Sequence, residues 1–329
     1  MQYKSYSKVF LSIAIAIFSM LFSSTTAQAY HADSFRNAQL SLNSTIPVSM
    51  SVEIGVANGQ ARELVYLEDK GQKISELQWE IDNVVLAGFK GSFDFTDWLR
   101  FNGGFWTNLT NGDNGRMDDY DWGIPADPRG WESRYNARAS VERVFMTDTN
   151  LEAILFKTQY VDISGLVGFK FDNWKWDSKD GTFVHSFNGW RSETMNFPEG
   201  ESVIGYEQWF YTPYLGIQTD SDFGDFKLKT YVKGTIYAWG NDEDHHYLRN
   251  LRFNEDIYNI KFLGAGISGS YSFTPNVFSS ISFDYQKYYR QVGHTKVTDT
   301  ATGESSKTSN SAGMDNESIH LSIELGFNF

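Results

Sequence analysis

Ser318-Ile319-His320-Leu321-Ser322-Ile323-Glu324-Leu325-Gly326-Phe327-Asn328-Phe329 alternates without a break. Ile319, Leu321, Ile323, Leu325, Phe327 and Phe329 point one way. Ser318, His320, Ser322, Glu324, Gly326 and Asn328 point the other, because successive side chains of an extended chain leave on opposite faces. A period-2 stretch of this length, apolar on one face and polar or small on the other, fits a strand that crosses a bilayer. Residues 263–273 repeat the pattern, with Leu263, Ala265, Ile267, Tyr271 and Phe273 set against glycines and serines. Ile281, Phe283 and Tyr285 do so again, opposite Ser280, Ser282, Asp284 and Gln286. A soluble β-sandwich also alternates, but it does not usually combine an export signal and 16% aromatic residues with short turns and long polar loops. In hydrocarbon an open sheet edge leaves unpaired amides, so strands cross only as a closed barrel. The sequence therefore predicts an all-β, antiparallel transmembrane barrel of the outer-membrane kind.

The first residues agree with export. Lys4 and Lys8 precede a nearly unbroken apolar run over residues 9–22, and Ala27-Gln28-Ala29 supplies the small-x-small cleavage pattern. The run is short for a retained spanning helix. Residues 1–29 are thus expected to be a cleaved signal peptide, and 30–329 the barrel, beginning at Tyr30. Removing Lys4 and Lys8 takes the formal charge from −13 to −15, an acidic balance that argues against nucleic-acid partners. There are no cysteines, which excludes thiol catalysis and Cys-based metal sites.

Turn signals at Thr96-Asp97, Thr147-Asp148-Thr149-Asn150, 220–225 and Thr274-Pro275-Asn276 alternate with long polar connections near 111–132, 174–200, 240–256 and 293–316. A shorter connection falls at Asp69-Lys70-Gly71. Strands are expected at 48–66, 73–95, 98–110, 133–146, 151–173, 202–219, 226–240, 257–273, 277–293 and 317–329, which makes ten. An even count puts both termini on one side, and barrels of this class have short periplasmic turns and longer outer loops. These strands exceed the roughly 9–11 residues a bilayer needs, so the barrel should project above the membrane.

Two acidic clusters then fall at the outer mouth, on nearly opposite sides. One is Met117-Asp118-Asp119-Tyr120-Asp121-Trp122; the other is Asp242-Glu243-Asp244-His245-His246-Tyr247. In extended chain residues i and i+2 share a side, so Asp119 can act with Asp121 and Asp244 with His246. A carboxylate pair facing an Asp–His pair can hold and deprotonate a water molecule. Taken alone, an Asp-x-Asp could equally be a solvated acidic turn or a loose calcium site. The carboxylates and histidines offer no complete metal-ligand set, and no metal or other cofactor is expected. Ser133, in Glu132-Ser133-Arg134, has no histidine near it in sequence to activate it.

Several further stretches occur in a telling order: Glu63-Leu64-Val65-Tyr66, Gly103-Gly104-Phe105-Trp106-Thr107, the first acidic cluster, Trp131-Glu132-Ser133-Arg134, Phe197-Pro198-Glu199-Gly200-Glu201, Ile204-Gly205-Tyr206, Pro213-Tyr214-Leu215-Gly216 and the second acidic cluster. Along nearly all of its mature length the chain resembles the omptins, outer-membrane endoproteases of Gram-negative bacteria with ten-stranded barrels. The resemblance implies an aspartic-type endopeptidase of the bacterial outer membrane whose active site faces the exterior. It implies that water between Asp119–Asp121 and Asp244–His246 attacks the peptide carbonyl, with His246 as base. It also implies that Glu63 and Asp242 line a pocket for a basic residue before the cut, so the expected partners are peptides and proteins carrying basic residues.

The chain departs from the family in three places. It reads Asp244-His245-His246-Tyr247 where the family has Asp-Glu-His-Tyr, so His245 could compete with His246. Tyr135 stands where a histidine often follows the serine. The family also binds lipopolysaccharide on the outer wall, yet the three positions that can be placed hold Phe171, Asn173 and Trp209 in place of arginines. The alternative function is a non-catalytic outer-membrane barrel, an adhesin or narrow porin that binds cations through acidic loops; it needs no Asp–His pairing. A lipid hydrolase would instead need a Ser–His pair near the bilayer.

Overall fold

The computed structural model describes residues 47–67, 71–112, 115–124 and 127–329. The expected signal segment lies outside the described residues. Twelve strand segments follow one another: β1 (Val48–Tyr66), β2 (Lys73–Thr96), β3 (Leu99–Asn108), β4 (Arg116–Asp121), β5 (Ser133–Lys157), β6 (Val161–His185), β7 (Glu193–Asn196), β8 (Ser202–Phe223), β9 (Phe226–His246), β10 (Leu251–Thr274), β11 (Val277–Asp299) and β12 (Ser305–Asn328). Every ladder is antiparallel. β1 pairs with β12 from Ser49↔Asn328 to Val65↔Ala312 and closes the sheet. β3 and β4 share one place in the ring, since both pair with β2 on one side and β5 on the other. β7 only extends the upper edge of β6. The ring therefore has ten places, as the alternation and turn signals predict.

Outward-facing apolar side chains form a belt toward the short-turn end. Val52 and Ile54 on β1, Leu215 and Ile217 on β8, and Leu321, Ile323 and Leu325 on β12 are all exposed. Water would penalise such a surface, whereas lipid tails do not. The walls continue well beyond the belt: Glu63 is nine residues past Ile54, roughly 30 Å of extended chain.

Inside, aromatic rings span the lumen below the upper rim. Trp79 stacks on Tyr206 at 5.6 Å between centroids, Trp176 lies 5.9 Å from Tyr206, and Trp174 stacks on Trp176 at 6.0 Å. All four are fully buried. The interior nearer the membrane is polar, which a barrel lumen permits. Lys170 pairs with Asp172, which also accepts from Tyr288, and Lys233 pairs with Asp148.

That polar lumen explains where the expected boundaries move. Thr147-Asp148-Thr149-Asn150 is not a turn; β5 runs through it to Lys157. Asp148 is held by Lys233 and by the Tyr214 hydroxyl at 2.5 Å, and Asn150 accepts from Asn102 at 3.0 Å. The turn lies at 158–160, where the Thr158 hydroxyl accepts from the amides of Tyr160 and Val161 at 3.2 and 2.9 Å. The expected outer connections are also largely strand: β6 continues to His185, β9 to His246 and β11 to Asp299. The two acidic clusters consequently sit on β4 and β9, in the wall of the projecting barrel, and not at loop tips.

Candidate active site

On β4 the alternation decides which acids face the lumen. Met117 and Asp119 are buried, and Asp121 shares their side. Asp118 points away, accepting from Arg134 Nε at 2.8 Å and Asn136 Nδ2 at 2.8 Å. Asp119 lies in register between Leu77 of β2 and Tyr135 of β5, and Asp121 between Ser75 and Ser133. Each carboxylate takes one hydroxyl from these neighbours. Ser75 Oγ donates to Asp119 Oδ1 at 3.3 Å, and Ser133 Oγ donates to Asp121 Oδ2 at 3.0 Å. Ser133 therefore orients an acid, and the role of Ser75 carried no signal in the sequence.

On β9, Asp242, Asp244 and His246 are buried on one side, whereas Glu243 and His245 face the other. His246 Nε2 is 2.7 Å from Asp244 Oδ2. With Nε2–H donating to the carboxylate, Nδ1 is left as the basic nitrogen. Phe253, opposite Asp244 on β10, sets its ring edge-on to His246 at 5.5 Å and limits the tilt of the imidazole. His245 instead packs its ring 4.3 Å from that of Tyr247. The structure thus pairs His246, and not His245, with Asp244.

The two strands share one field. Burial, then the charges of Asp121 and Asp244, push the Asp119 carboxyl up to about 8, against the opposing pull of His246 and the Ser75 hydrogen bond. Burial alone would lower His246, but Asp244's charge and hydrogen bond, with Asp119's charge, hold it above the ordinary imidazole value. His245 is moved the other way, by burial and by Arg252.

Beside these groups lies a cluster of carboxylates. Glu63 of β1 is 1% exposed and stands two strands from Asp119, about 10 Å across the ladder, with Leu77 between them. Asp242 is 2% exposed and accepts from the Tyr206 hydroxyl at 2.9 Å, which in turn accepts from Gln208. Glu255 on β10, which the sequence reading did not single out, is directly opposite Asp242 and 2% exposed. Its Oε1 accepts from Thr295 at 3.0 Å. Asp242 and Glu255 also hydrogen-bond each other; among the described residues, Glu63 Oε2 has no hydrogen-bond partner, Asp242 Oδ1 and Glu255 Oε2 have none outside that pair, and no basic side chain lies within ion-pair distance of the three. Burial raises all three carboxyls: Glu63 further through the charges of Asp244, Glu255 and Asp242, Glu255 through the charge and hydrogen bond of Asp242, and Asp242, to about 7, through Asp244 and Asp256 against the hydrogen bonds of Tyr206 and Glu255. The ladder register brings Glu255 to this place. Only Tyr247–Arg249 and Asn250 separate β9 from β10, and counting back across so short a turn sets position 255 against 242.

Among the described residues no three His, Asp or Glu side chains are grouped to hold a metal ion. The outer wall carries Phe171, Asn173 and Trp209 as a neighbouring group. Phe171 packs on Phe145 and Tyr211, while Asn173 accepts from Arg143 Nε at 2.9 Å and donates to Glu207 at 2.8 Å. Cations do reach this wall, from Arg143 and from Lys175, whose Nζ is 3.8 Å from Glu207.

Comparison with known proteins supplies independent context. The model of the Omptin family matches residues 44–329. A plasminogen activator of Yersinia pestis is 30% identical over 282 residues, covering 85% of this chain and 89% of its own length. The outer membrane protease OmpP of Escherichia coli K12 is 27% identical over 287 residues, 86% of this chain and 90% of its own. The crystal structure of the outer membrane protease OmpT from Escherichia coli superposes with a TM-score of 0.82 at 22% identity, covering 87% of this chain and 98% of the other.

Proposed function

Because the chain belongs to the omptin family, and is an outer-membrane protease acting on peptides or proteins, we propose that it cleaves beside basic residues with a water activated by Asp244 and His246 and held by Asp119 and Asp121. The observation that carries this reading is the 2.7 Å His246–Asp244 contact in the same field as the inward carboxyl of Asp119. Water placed between the two pairs loses a proton to His246 Nδ1 as its oxygen attacks the carbonyl carbon. Asp244 balances the imidazolium that forms, and Asp121 fixes the other side of the water through its own hydrogen bond to Ser133. Asp119, beside Asp121, helps hold the water and steadies the charge that develops on His246. The proton on His246 then passes to the leaving amine as the C–N bond breaks. No side chain forms a covalent bond to substrate in this scheme, which places the enzyme in the aspartic-type class.

Glu63 and Asp242 supply specificity. A buried carboxylate without a partner is costly, and a lysine or arginine side chain entering the pocket removes that cost. Lipopolysaccharide is the second partner the family implies. Here its phosphates would meet Arg143 and Lys175 on the outer wall, because Phe171, Asn173 and Trp209 supply no cation. The adhesin or porin alternative gives no reason for a sealed Asp–His pair above an aromatic floor.

A peptide library digested by refolded protein, with cut sites mapped by mass spectrometry, tests the reading. The expected result is cleavage after arginine or lysine, with the preference largely erased by Glu63→Gln combined with Asp242→Asn. Equal cutting after alanine and arginine by the unmodified protein would overturn the pocket.

A further inference from the structure

We propose that Glu255 completes a three-carboxylate pocket with Glu63 and Asp242, and that this pocket selects an arginine side chain over lysine in the residue before the cut. The inference rests on the proposed basic-residue pocket and deepens it. β9 and β10 set Asp242 and Glu255 directly opposite each other, Glu63 of β1 feels the charge of both, and each of the three is at least nine-tenths buried. Among the described residues Glu63 Oε2 has no partner, and Asp242 Oδ1 and Glu255 Oε2 have none outside the hydrogen bond between their own two carboxyls. Tyr206 donates to Asp242 and Thr295 to Glu255, the Asp242 and Glu255 carboxyls also hydrogen-bond each other, and among the described residues no lysine or arginine pairs with the group.

Three acceptors spread over three strands need a ligand with several donors pointing in different directions. A guanidinium presents five N–H groups in a rigid plane, enough to reach three carboxylates at once. An ammonium has three N–H groups on one atom and cannot span acceptors held on separate strands with equal geometry. Asp242 and Glu255 face each other across the β9–β10 ladder, where paired residues have Cβ atoms about 4.5–5.5 Å apart. An entering guanidinium edge can take the place of the proton that these two carboxyls share, with Glu63 meeting another N–H from β1. Binding also relieves the repulsion between Asp242 and Glu255, since the cation sits between the two charges.

The test compares three peptides that differ only in the residue before the cut: arginine, lysine, or citrulline, the neutral isostere of arginine. Each is assayed with the full-length refolded protein and with Glu255→Gln and Glu63→Gln. The Gln variant keeps an oxygen that can accept from Thr295, and it removes a buried charge, so barrel folding should survive; heat-modifiable gel mobility checks this. The expected result for Glu255→Gln is a loss of about 10–100-fold in kcat/KM for the arginine peptide, carried mainly by KM. The citrulline peptide should be unaffected or faster, and the arginine-to-lysine ratio should fall toward one. Glu255→Asp, which keeps the charge one methylene further back, should restore part of both ratios. If Glu255→Gln slows all three peptides equally, its role is structural and the proposal is wrong. If Glu63→Gln collapses the arginine-to-citrulline ratio but Glu255→Gln leaves both ratios intact, this inference fails and the basic pocket stands. If the unmodified protein does not prefer arginine to citrulline, the pocket reading itself fails.

Discussion

Replacing Asp244 by asparagine keeps the size of the side chain and an oxygen able to accept from His246 Nε2, but it removes the charge. In the structure that charge is 1% exposed and 2.7 Å from the imidazole. Two unit charges about 4 Å apart at an effective dielectric near 20 attract by about 4 kcal/mol. This is an upper bound for the variant, because Asp119 still acts on the ring. The sign follows from the base's requirement to be neutral. A histidine held above its ordinary value of 6.5 loses activity as pH falls through that raised value. Without Asp244 the imidazole loses its largest upward pull and stays neutral to lower pH, so the acid limb of kcat/KM should move to lower pH. Asp119, Glu63 and Asp242 move in the same direction, since each is raised in part by Asp244. The plateau should drop by roughly 10²–10⁴, because the imidazolium formed during attack loses its counter-charge. The assay is kcat/KM for a basic fluorogenic peptide across the acid and neutral range. An acid limb that stays in place or moves up, with the plateau intact, would refute the Asp244–His246 assignment.

Two further outcomes follow. Ser133→Ala should lower turnover only about 2–10-fold, the loss of one hydrogen bond to Asp121, and serine-directed fluorophosphonates should leave the protein unlabelled; a dead but folded variant would make Ser133 the nucleophile. Arg143→Ala with Lys175→Ala should weaken any stimulation of detergent-refolded protein by lipopolysaccharide, read as a higher half-saturating concentration; an unchanged titration would place that partner elsewhere.

The barrel was legible because lipid imposes strict alternation, and the stretch from Ser318 to Phe329 shows that constraint directly. Boundaries were less legible for the same physical reason that makes this barrel work. Asp148 and Asn150 look like turn residues, yet they point into a polar lumen where Lys233, Tyr214 and Asn102 satisfy them. Trp174, Trp176 and Ser178 fall where the sequence suggests a polar outer connection, yet β6 continues through them and turns all three inward. The pairing of Asp119 with Asp121, and of Asp244 with His246, could be read from i, i+2 spacing alone, and it survives the transfer of both clusters from loops to strands. Glu255 and Ser75 could not be read that way. Their places depend on ladder register, Glu255 against Asp242 and Ser75 against Asp121, which single-sequence periodicity does not fix. Tyr135, at the position where histidine often occurs in the family, donates its hydroxyl to the Asp180 carbonyl at 2.6 Å and braces the wall behind Asp119.

The adjacent histidines give the most direct test of the central claim, because they differ in which way they face. His246 is turned inward onto Asp244, whereas His245 lies outside against Tyr247. Cleavage of one arginine-containing peptide by refolded His246→Ala and His245→Ala, with folding checked by gel mobility, compares them on equal terms. The account predicts a loss of about 10²–10⁴ in kcat for His246→Ala and substantial activity for His245→Ala. An inactive His245→Ala beside an active His246→Ala would move the base by one residue, and full activity in both would contradict the Asp–His hydrolytic mechanism.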